Sequence, residues 1–194
     1  MMETINKIIL CIWGGLFIAF GALASAGLPA PLNGIIFSTG LLCILCTQSS
    51  LFTGSILGIK NGLSIKLLSN WLLIFIGNFI GCYLVAKLVL FGGYNIDTIT
   101  TIAQNKASLT PLQAFLRAIP CNILVCLAVI IWRNIDKDII RIILVMLCIT
   151  TFIVCGFEHS VANMFYYAFS NYNNLAAVTL GNILGGCFVA FSFK

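Results

Sequence analysis

Apolar runs close to 20 residues long recur along this chain, and a water-soluble fold of this size has no core large enough to hide them. A helix needs about 20 such residues to cross roughly 30 Å of hydrocarbon. Of the 194 residues, 61% are hydrophobic and only 8% are charged, where a soluble domain carries about 25% charged residues. Lipid must therefore be the solvent for much of the chain, which reads as an all-α integral membrane protein with a single transmembrane domain over 1–194. The net charge of +5 does not point to nucleic acid. The basic residues are scattered singly between apolar runs, with no basic stripe or interleaved aromatics.

Six spans are expected: Ile8–Leu28, Leu32–Ile59, Ile65–Phe91, Pro111–Trp132, Ile139–Phe169 and Tyr172–Phe193. With the N-terminus inside, Lys7, Lys60, Lys66, Arg133, Lys137, Arg141 and Lys194 fall on the cytoplasmic side. Lys87 and Lys106 fall at the outer side and Arg117 within the fourth span. The positive-inside rule then favours both termini in the cytoplasm, in the plasma membrane, which needs an even number of spans. Lys7, the run from Ile8 to Phe20 and Ala24-Ser25-Ala26 have the look of a cleavable leader. A retained first helix is the better reading, because Gly14, Gly15, Ala19, Ala22 and Ala26 make a close-packing face.

The second and fifth spans are too polar inside to be simple helices. One holds Thr47-Gln48-Ser49-Ser50 and Thr53-Gly54-Ser55; the other holds Gly156-Phe157-Glu158-His159-Ser160 and Asn163. The third and sixth spans match each other. Gly77-Asn78-Phe79-Ile80-Gly81 and the residues to Ala86 align with Gly181-Asn182-Ile183-Leu184-Gly185 and those to Ala190, at a constant offset of 104 positions. Both copies carry the G-x-x-x-G spacing that lets helix backbones approach. The expectation is a duplication, with repeats at about 8–91 and 111–193. Three spans per repeat would invert one copy relative to the other, and interrupted helices of such repeats meet near the midplane to form a site. Irregular backbone at that depth survives only where protein or water covers it, so the two breaks should line a pore.

Among polar candidates, His159 is the sole histidine and sits at a break beside Glu158. Intramembrane ionisable groups are functional candidates by default, and an ordinary pKa of about 6.5 suits His to sharing a proton with a weak acid. Glu158, itself negative, is a poor anion ligand and is expected to brace the loop by hydrogen bonds. Asn122 and Asn163 either satisfy broken-helix backbone or line the pore. Thr53 either caps a helix or binds a ligand, since its hydroxyl both donates and accepts. All nine cysteines lie in apolar runs. Packing is the expected role even for the C-x-x-C pair Cys43 and Cys46, and no disulfide framework or cofactor is expected.

Gly156-Phe157-Glu158-His159-Ser160-Val161-Ala162-Asn163-Met164-Phe165 resembles the fifth-helix signature of the formate/nitrite transporter family. Phe37-Ser38-Thr39-Gly40 and Leu51-Phe52-Thr53-Gly54 resemble its second-helix motifs. Lys106, Ala114-Phe115-Leu116-Arg117 and Asn122-Ile123-Leu124-Val125-Cys126-Leu127-Ala128 resemble its fourth-helix region. The likeness runs in order over almost the whole chain. It implies an aquaporin-like fold, a homopentamer with one pore per protomer, and carriage of small monovalent anions or their conjugate acids, of the formate, nitrite, hydrosulfide, acetate or lactate class. It implies that Thr53 faces His159 and that Lys106, in the outer loop, attracts anions to an outer vestibule. Arg117 is either a vestibule residue or a contact between protomers. Phe37, Val125 and Phe152 would form an outer apolar ring, and Leu41, Leu51 and Phe52 an inner one. Such rings obstruct a bare charge far more than a neutral acid, which favours protonation during passage. The chain departs from the pattern at Ser50, where the family usually has Glu, and in its short termini, which leave little for cytoplasmic regulation.

A water or glycerol channel is the alternative, but Asn-Pro-Ala, expected at both breaks, is missing. A zinc peptidase would need H-E-x-x-H; the order here is Glu-His with no second histidine, so no enzyme is expected.

Overall fold

The computed structural model describes residues 2–171 and 173–193. Tyr172, where the sixth expected span begins, and Lys194, one of the basic residues used for topology, lie outside the described residues. The described chain is all helical: α1 (Met2–Ser25), α2 (Leu32–Thr47), α3 (Phe52–Ser55) running into a 3-10 segment (Ile56–Asn61), α4 (Ile65–Phe91), α5 (Asp97–Ala107), α6 (Pro111–Asn134), α7 (Asp138–Val154), α8 (Ser160–Tyr166) with a 3-10 turn (Tyr167–Phe169), and α9 (Leu175–Ser192). Among the described residues, α1, α4, α6 and α9 are each long and apolar enough to cross a membrane. The pair α2 and α3 with its 3-10 extension is a further broken span, bent by 53°. At 17 residues, α7 reaches about 26 Å at 1.5 Å per residue, and α8 follows it across the second break.

Local sequence explains the ends. Ser64 caps α4 by accepting from the Leu67 N–H. Thr110 and Gln113 form a reciprocal capping box at the start of α6, with Pro111 in the first turn, where its missing N–H costs nothing. Gln48 terminates α2 in the left-handed conformation, at φ 57°. The link expected as an outer loop before α6 contains α5. Lys106 therefore sits on a helix, a correction to the loop placement, and α5 escaped notice because its 11 residues are too polar on average to mark a span.

Packing depends on glycine. In lipid the helices gain nothing by hiding apolar surface from one another, so close van der Waals approach must hold them. A Cβ on Gly15 would run into the Asn78 carbonyl, and one on Gly81 into the Ile12 carbonyl, so α1 and α4 pack backbone to backbone. The same device joins α6 and α9, where a Cβ on Gly181 or Gly185 would meet the carbonyls of Phe115 or Ile119. Helix α2 lies along α7, α8 rests on α4, and the 3-10 segment after α3 rests on α9. Each short element beyond a break is thus covered by a long helix. The far side of α4 presents Leu68, Leu72, Ile76, Ile80, Leu84 and Leu88 outward, one per four residues. Four of the cysteines (Cys11, Cys82, Cys121 and Cys126) are buried, whereas Cys43, Cys46 and Cys155 face outward and so do not pack this chain's core, as had been expected of them.

Replacing Gly81 by Val should force α1 off α4, at a cost at or above the 1–3 kcal/mol typical of overpacking, because the obstructing atoms are backbone. Thermal unfolding followed by size-exclusion chromatography should show a large loss of monodisperse protein, while Ile80→Val, on the exposed face, should behave as wild type.

Candidate functional site

Backbone that leaves helical geometry inside the protein is tied down by two asparagines in the same way. Asn78 of α4 accepts from the Phe52 N–H at 2.9 Å and donates to the carbonyls of Ser50 and Cys11 at 2.8 and 2.7 Å. Asn182 of α9 accepts from the Ser160 N–H at 2.8 Å and donates to the carbonyls of Glu158 and Ala118 at 2.9 and 2.8 Å. A further pair of bonds matches: the Ser50 N–H donates to the Leu10 carbonyl and the Glu158 N–H to the Arg117 carbonyl. The Asn78 and Asn182 side chains are fully buried, so leaving one of their polar groups unpaired would cost about 1–3 kcal/mol. The residue held between the clamped positions is Leu51 in one break and His159 in the other. Both are extended, at φ −112° and −109°. The matched Gly-Asn motif marks the two residues but not this clamp, whose one signal in the sequence is an amide at the same place in each of two matching apolar runs.

His159 is fixed on three sides. Its Nδ1 accepts the Ala162 N–H at 3.1 Å, capping α8. Its Nε2 meets the Thr53 hydroxyl at 2.9 Å. Its ring stacks on Phe152 with centroids 5.8 Å apart, and Phe152 meets Phe37 edge-on at 5.5 Å. A neutral imidazole has one N–H. Since Nδ1 is an acceptor here, that hydrogen lies on Nε2 and is donated to Thr53. Thr53 caps no helix, as Leu51 holds the N-cap position of α3. Its carbonyl is taken up by Asn122 at 3.2 Å and by the Cys126 thiol at 3.6 Å.

Three cavities adjoin one another through shared lining residues. The first, about 290 Å³, is lined by Lys106, Arg117, Glu158, His159, Phe37 and Phe152 among others. The second is a chamber of about 10 Å³, lined by His159 and by Ile18, Phe37, Leu41, Leu51, Val125, Ile149 and Phe152. It has room for at most about one water. The third, about 420 Å³, lies on the Arg133 side and shares Leu41 and Leu51 with the chamber. Phe37, Phe152 and His159 thus separate the first cavity from the chamber, and Leu41 and Leu51 separate the chamber from the third. Phe52, expected in the inner ring, lines none of these cavities; its ring packs edge-on against Phe75 at 5.1 Å. Ile18 and Ile149 do line the chamber, and no polarity or motif marked them.

Lys106 is not a free charge. Its Nζ lies 3.0 and 3.1 Å from the two Glu158 carboxylate oxygens and 5.6 Å from the centre of the Tyr166 ring. Glu158 also accepts from the Asn163 amide at 2.6 Å. Asn163 and Asn122 are fully buried and line none of the three cavities. Asn122 donates to the Thr53 and Asn182 carbonyls, which matches the bracing alternative. Arg117 is exposed on the wall of the first cavity.

Residues 1–193 match the profile of a family described as "Formate/nitrite transporter". The chain is 36% identical, over 94% of its length and 85% of the relative's, to a protein of Methanothermobacter thermautotrophicus named "Probable formate transporter". It is 31% identical, over 84% of its length and 74% of the relative's, to "Formate channel FocA" of Haemophilus influenzae. Among solved structures it resembles one titled "Pentameric formate channel with formate bound", at 27% identity and a TM-score of 0.84, covering 98% of this chain and 96% of that one. These relatives are channels or transporters rather than enzymes.

Breaking the buried ion pair from one side should expose its cost. Glu158→Leu strands the Lys106 ammonium, and unfolding should shift down by about 2–3 kcal/mol, below the 3–5 kcal/mol of a fully buried pair because Lys106 opens onto a cavity. The double variant with Lys106→Leu should recover part of that loss. Additive losses in a double-mutant cycle would show that the two residues do not act as a pair.

Proposed function

We propose that this chain, which belongs to the formate/nitrite transporter family, is a transmembrane pore that moves formate or a similarly small monovalent anion together with a proton. The observation that carries this reading is the central chamber: seven apolar side chains and one polar one, His159, around a space of about 10 Å³. A bare anion there would lose its hydration and gain almost nothing in return, whereas the neutral acid would lose little. The acid would take its proton from water in the first cavity and release it on the far side, so the chain need not consume one. His159, whose Nε2–H is held by the Thr53 hydroxyl, would have to transfer that bond from Thr53 to the passing acid or anion. The stack of Phe37, Phe152 and His159 would form the outer constriction and Leu41 with Leu51 the inner one, with Val125 between them.

The chain is a multi-pass membrane protein. We read it as six spans in two inverted three-span repeats, with α2 and α7 each broken. The matched clamps of Asn78 and Asn182, and the matched glycine packing of α1 with α4 and α6 with α9, support that reading. Homopentamer assembly is supported by the solved pentameric relative and by the outward apolar row on α4. Placing Lys7, Lys60, Lys66 and Arg133 in the cytoplasm puts the Lys106 cavity outside. There, Arg117 has no carboxylate partner among the described residues and would supply the anion-attracting charge that Lys106 shares with Glu158.

Proteoliposomes should take up formate, and then be offered nitrite, hydrosulfide, acetate and lactate, at two external pH values. Uptake should rise as the external pH falls, because the acid fraction rises. His159→Ala and Thr53→Ala should each slow it at least tenfold, which is about 1.4 kcal/mol. Folded protein giving no uptake above empty vesicles for any of these solutes would end this reading.

A further inference from the structure

The cavity on the Arg133 side has a character unlike the other two. Its wall carries Gln48, Ser49, Ser50, Ser55 and Arg133, and no Asp or Glu. Arg133 forms no ion pair among the described residues. Of the acidic residues nearest in sequence, Asp138 is engaged by Arg141 and neither it nor Asp136 lines the cavity. The contrast with the opposite cavity is direct, because there Glu158 faces the same space as Lys106 and neutralises it.

A second observation is independent of charge. Gln48 is the one non-glycine residue with positive φ among the described residues, at φ 57° and ψ 27°. Glycine would take this conformation more readily, and strained backbone retained beside a cavity suggests that the side chain has work there. Gln48 is exposed on the cavity wall and brings an amide donor to the same space as Arg133. The hydroxyls of Ser49 and Ser55 are already engaged, with Thr47 and with the Phe52 carbonyl; of the donors on the wall, the guanidinium carries the only charge and the Gln48 amide is the one on left-handed backbone.

We propose that this cavity is an anion-binding subsite, separate from His159, in which Arg133 and Gln48 hold a small monovalent oxyanion such as formate at the threshold of the Leu41 and Leu51 constriction. The inference deepens the transport reading above and rests on it for the choice of anion. A planar guanidinium pairs with a carboxylate through two parallel N–H donors, which a lysine could not reproduce. The subsite would let the chain collect anion on the Arg133 side, and its occupancy would fall with ionic strength, since Arg133 is exposed to solvent.

The full chain in lipid nanodiscs should be titrated with 13C-formate, following line broadening of the formate resonance. Wild type and His159→Ala should both bind. Arg133→Gln should bind at least tenfold more weakly, and Gln48→Gly, which relieves the left-handed backbone and so cannot fail through strain, about threefold more weakly. Undiminished broadening in Arg133→Gln, or broadening lost in His159→Ala instead, would overturn the subsite. In vesicles of known orientation, Arg133→Gln should raise the half-saturating formate concentration for transport from the Arg133 side several-fold and change it less than twofold from the other side. Equal shifts on both sides would also overturn it. Absence of flux in wild type would end the transport reading while leaving the binding result to decide the subsite.

Discussion

Inside a membrane, every N–H and C=O freed from a helix must find a protein partner, and this structure depends on how that demand is met at its two breaks. Asn78 and Asn182 each accept one N–H and donate to two carbonyls. An amide is the only neutral side chain that can accept while donating two hydrogens from one fixed plane. Removing either would take the partner from one N–H and one carbonyl of the break, while the Cys11 and Ala118 carbonyls keep their bonds within α1 and α6. The clamps also require their helices to lie close, because each amide reaches the backbone of the neighbouring long helix at Cys11 or Ala118. Glycine supplies that closeness at Gly15, Gly81, Gly181 and Gly185. The glycine packing and the asparagine clamps are therefore one device, since the second cannot be reached without the first.

The clamps place two residues symmetrically and the sequence fills the two positions differently. Leu51 and His159 occupy equivalent extended sites and both border the chamber. One offers only bulk, the other a ring with a polar edge. A chamber with histidines at both sites would hold water and charge more readily; one with leucines at both would be dry and indifferent to what passed. With one of each, a single polar group faces an apolar wall, and its orientation is set by the Ala162 N–H, Thr53 and Phe152 together. The imidazole cannot rotate without surrendering the cap of α8, so the direction of its N–H is fixed by the fold rather than by whatever enters.

Much of this was legible in sequence for a physical reason. Apolar runs near the bilayer thickness gave the long helices, and Ile65–Phe91 was placed to the residue. Polar residues inside otherwise apolar runs gave the breaks, because lipid tolerates them only under cover. The matched Gly77-Asn78 and Gly181-Asn182 segments marked the helices that carry the clamps. What could not be read was of two kinds. Ile18 and Ile149 line the chamber, yet an isoleucine facing a cavity and one facing lipid look alike in a hydropathy trace. The partnership of Lys106 with Glu158 joins residues 52 positions apart through a helix, α5, too short and polar to be read as a membrane element.

That ion pair changes how charge is distributed along the proposed pathway. A lysine beside a cavity mouth suggests a positive field, but Glu158 accepts both of its bonds to Lys106 from within the same cavity, and at these distances the pair has little net field a few ångströms away. What remains is Arg117 on one side, within the second turn of α6, and Arg133 on the other, in its last turn, sixteen residues or about 24 Å apart at 1.5 Å per residue. The chamber wall between them includes Val125 of the same helix. A single helix thus carries a guanidinium outside any ion pair among the described residues at each mouth and an apolar face at the constriction. Anions would be gathered at both ends by charges too far apart to act in the middle, where the ionised form has nothing to hold it. The Lys106–Glu158 pair then reads as part of the bracing of the second break, joined through Asn163 to α8, and the field that selects for negative charge is left to the arginines.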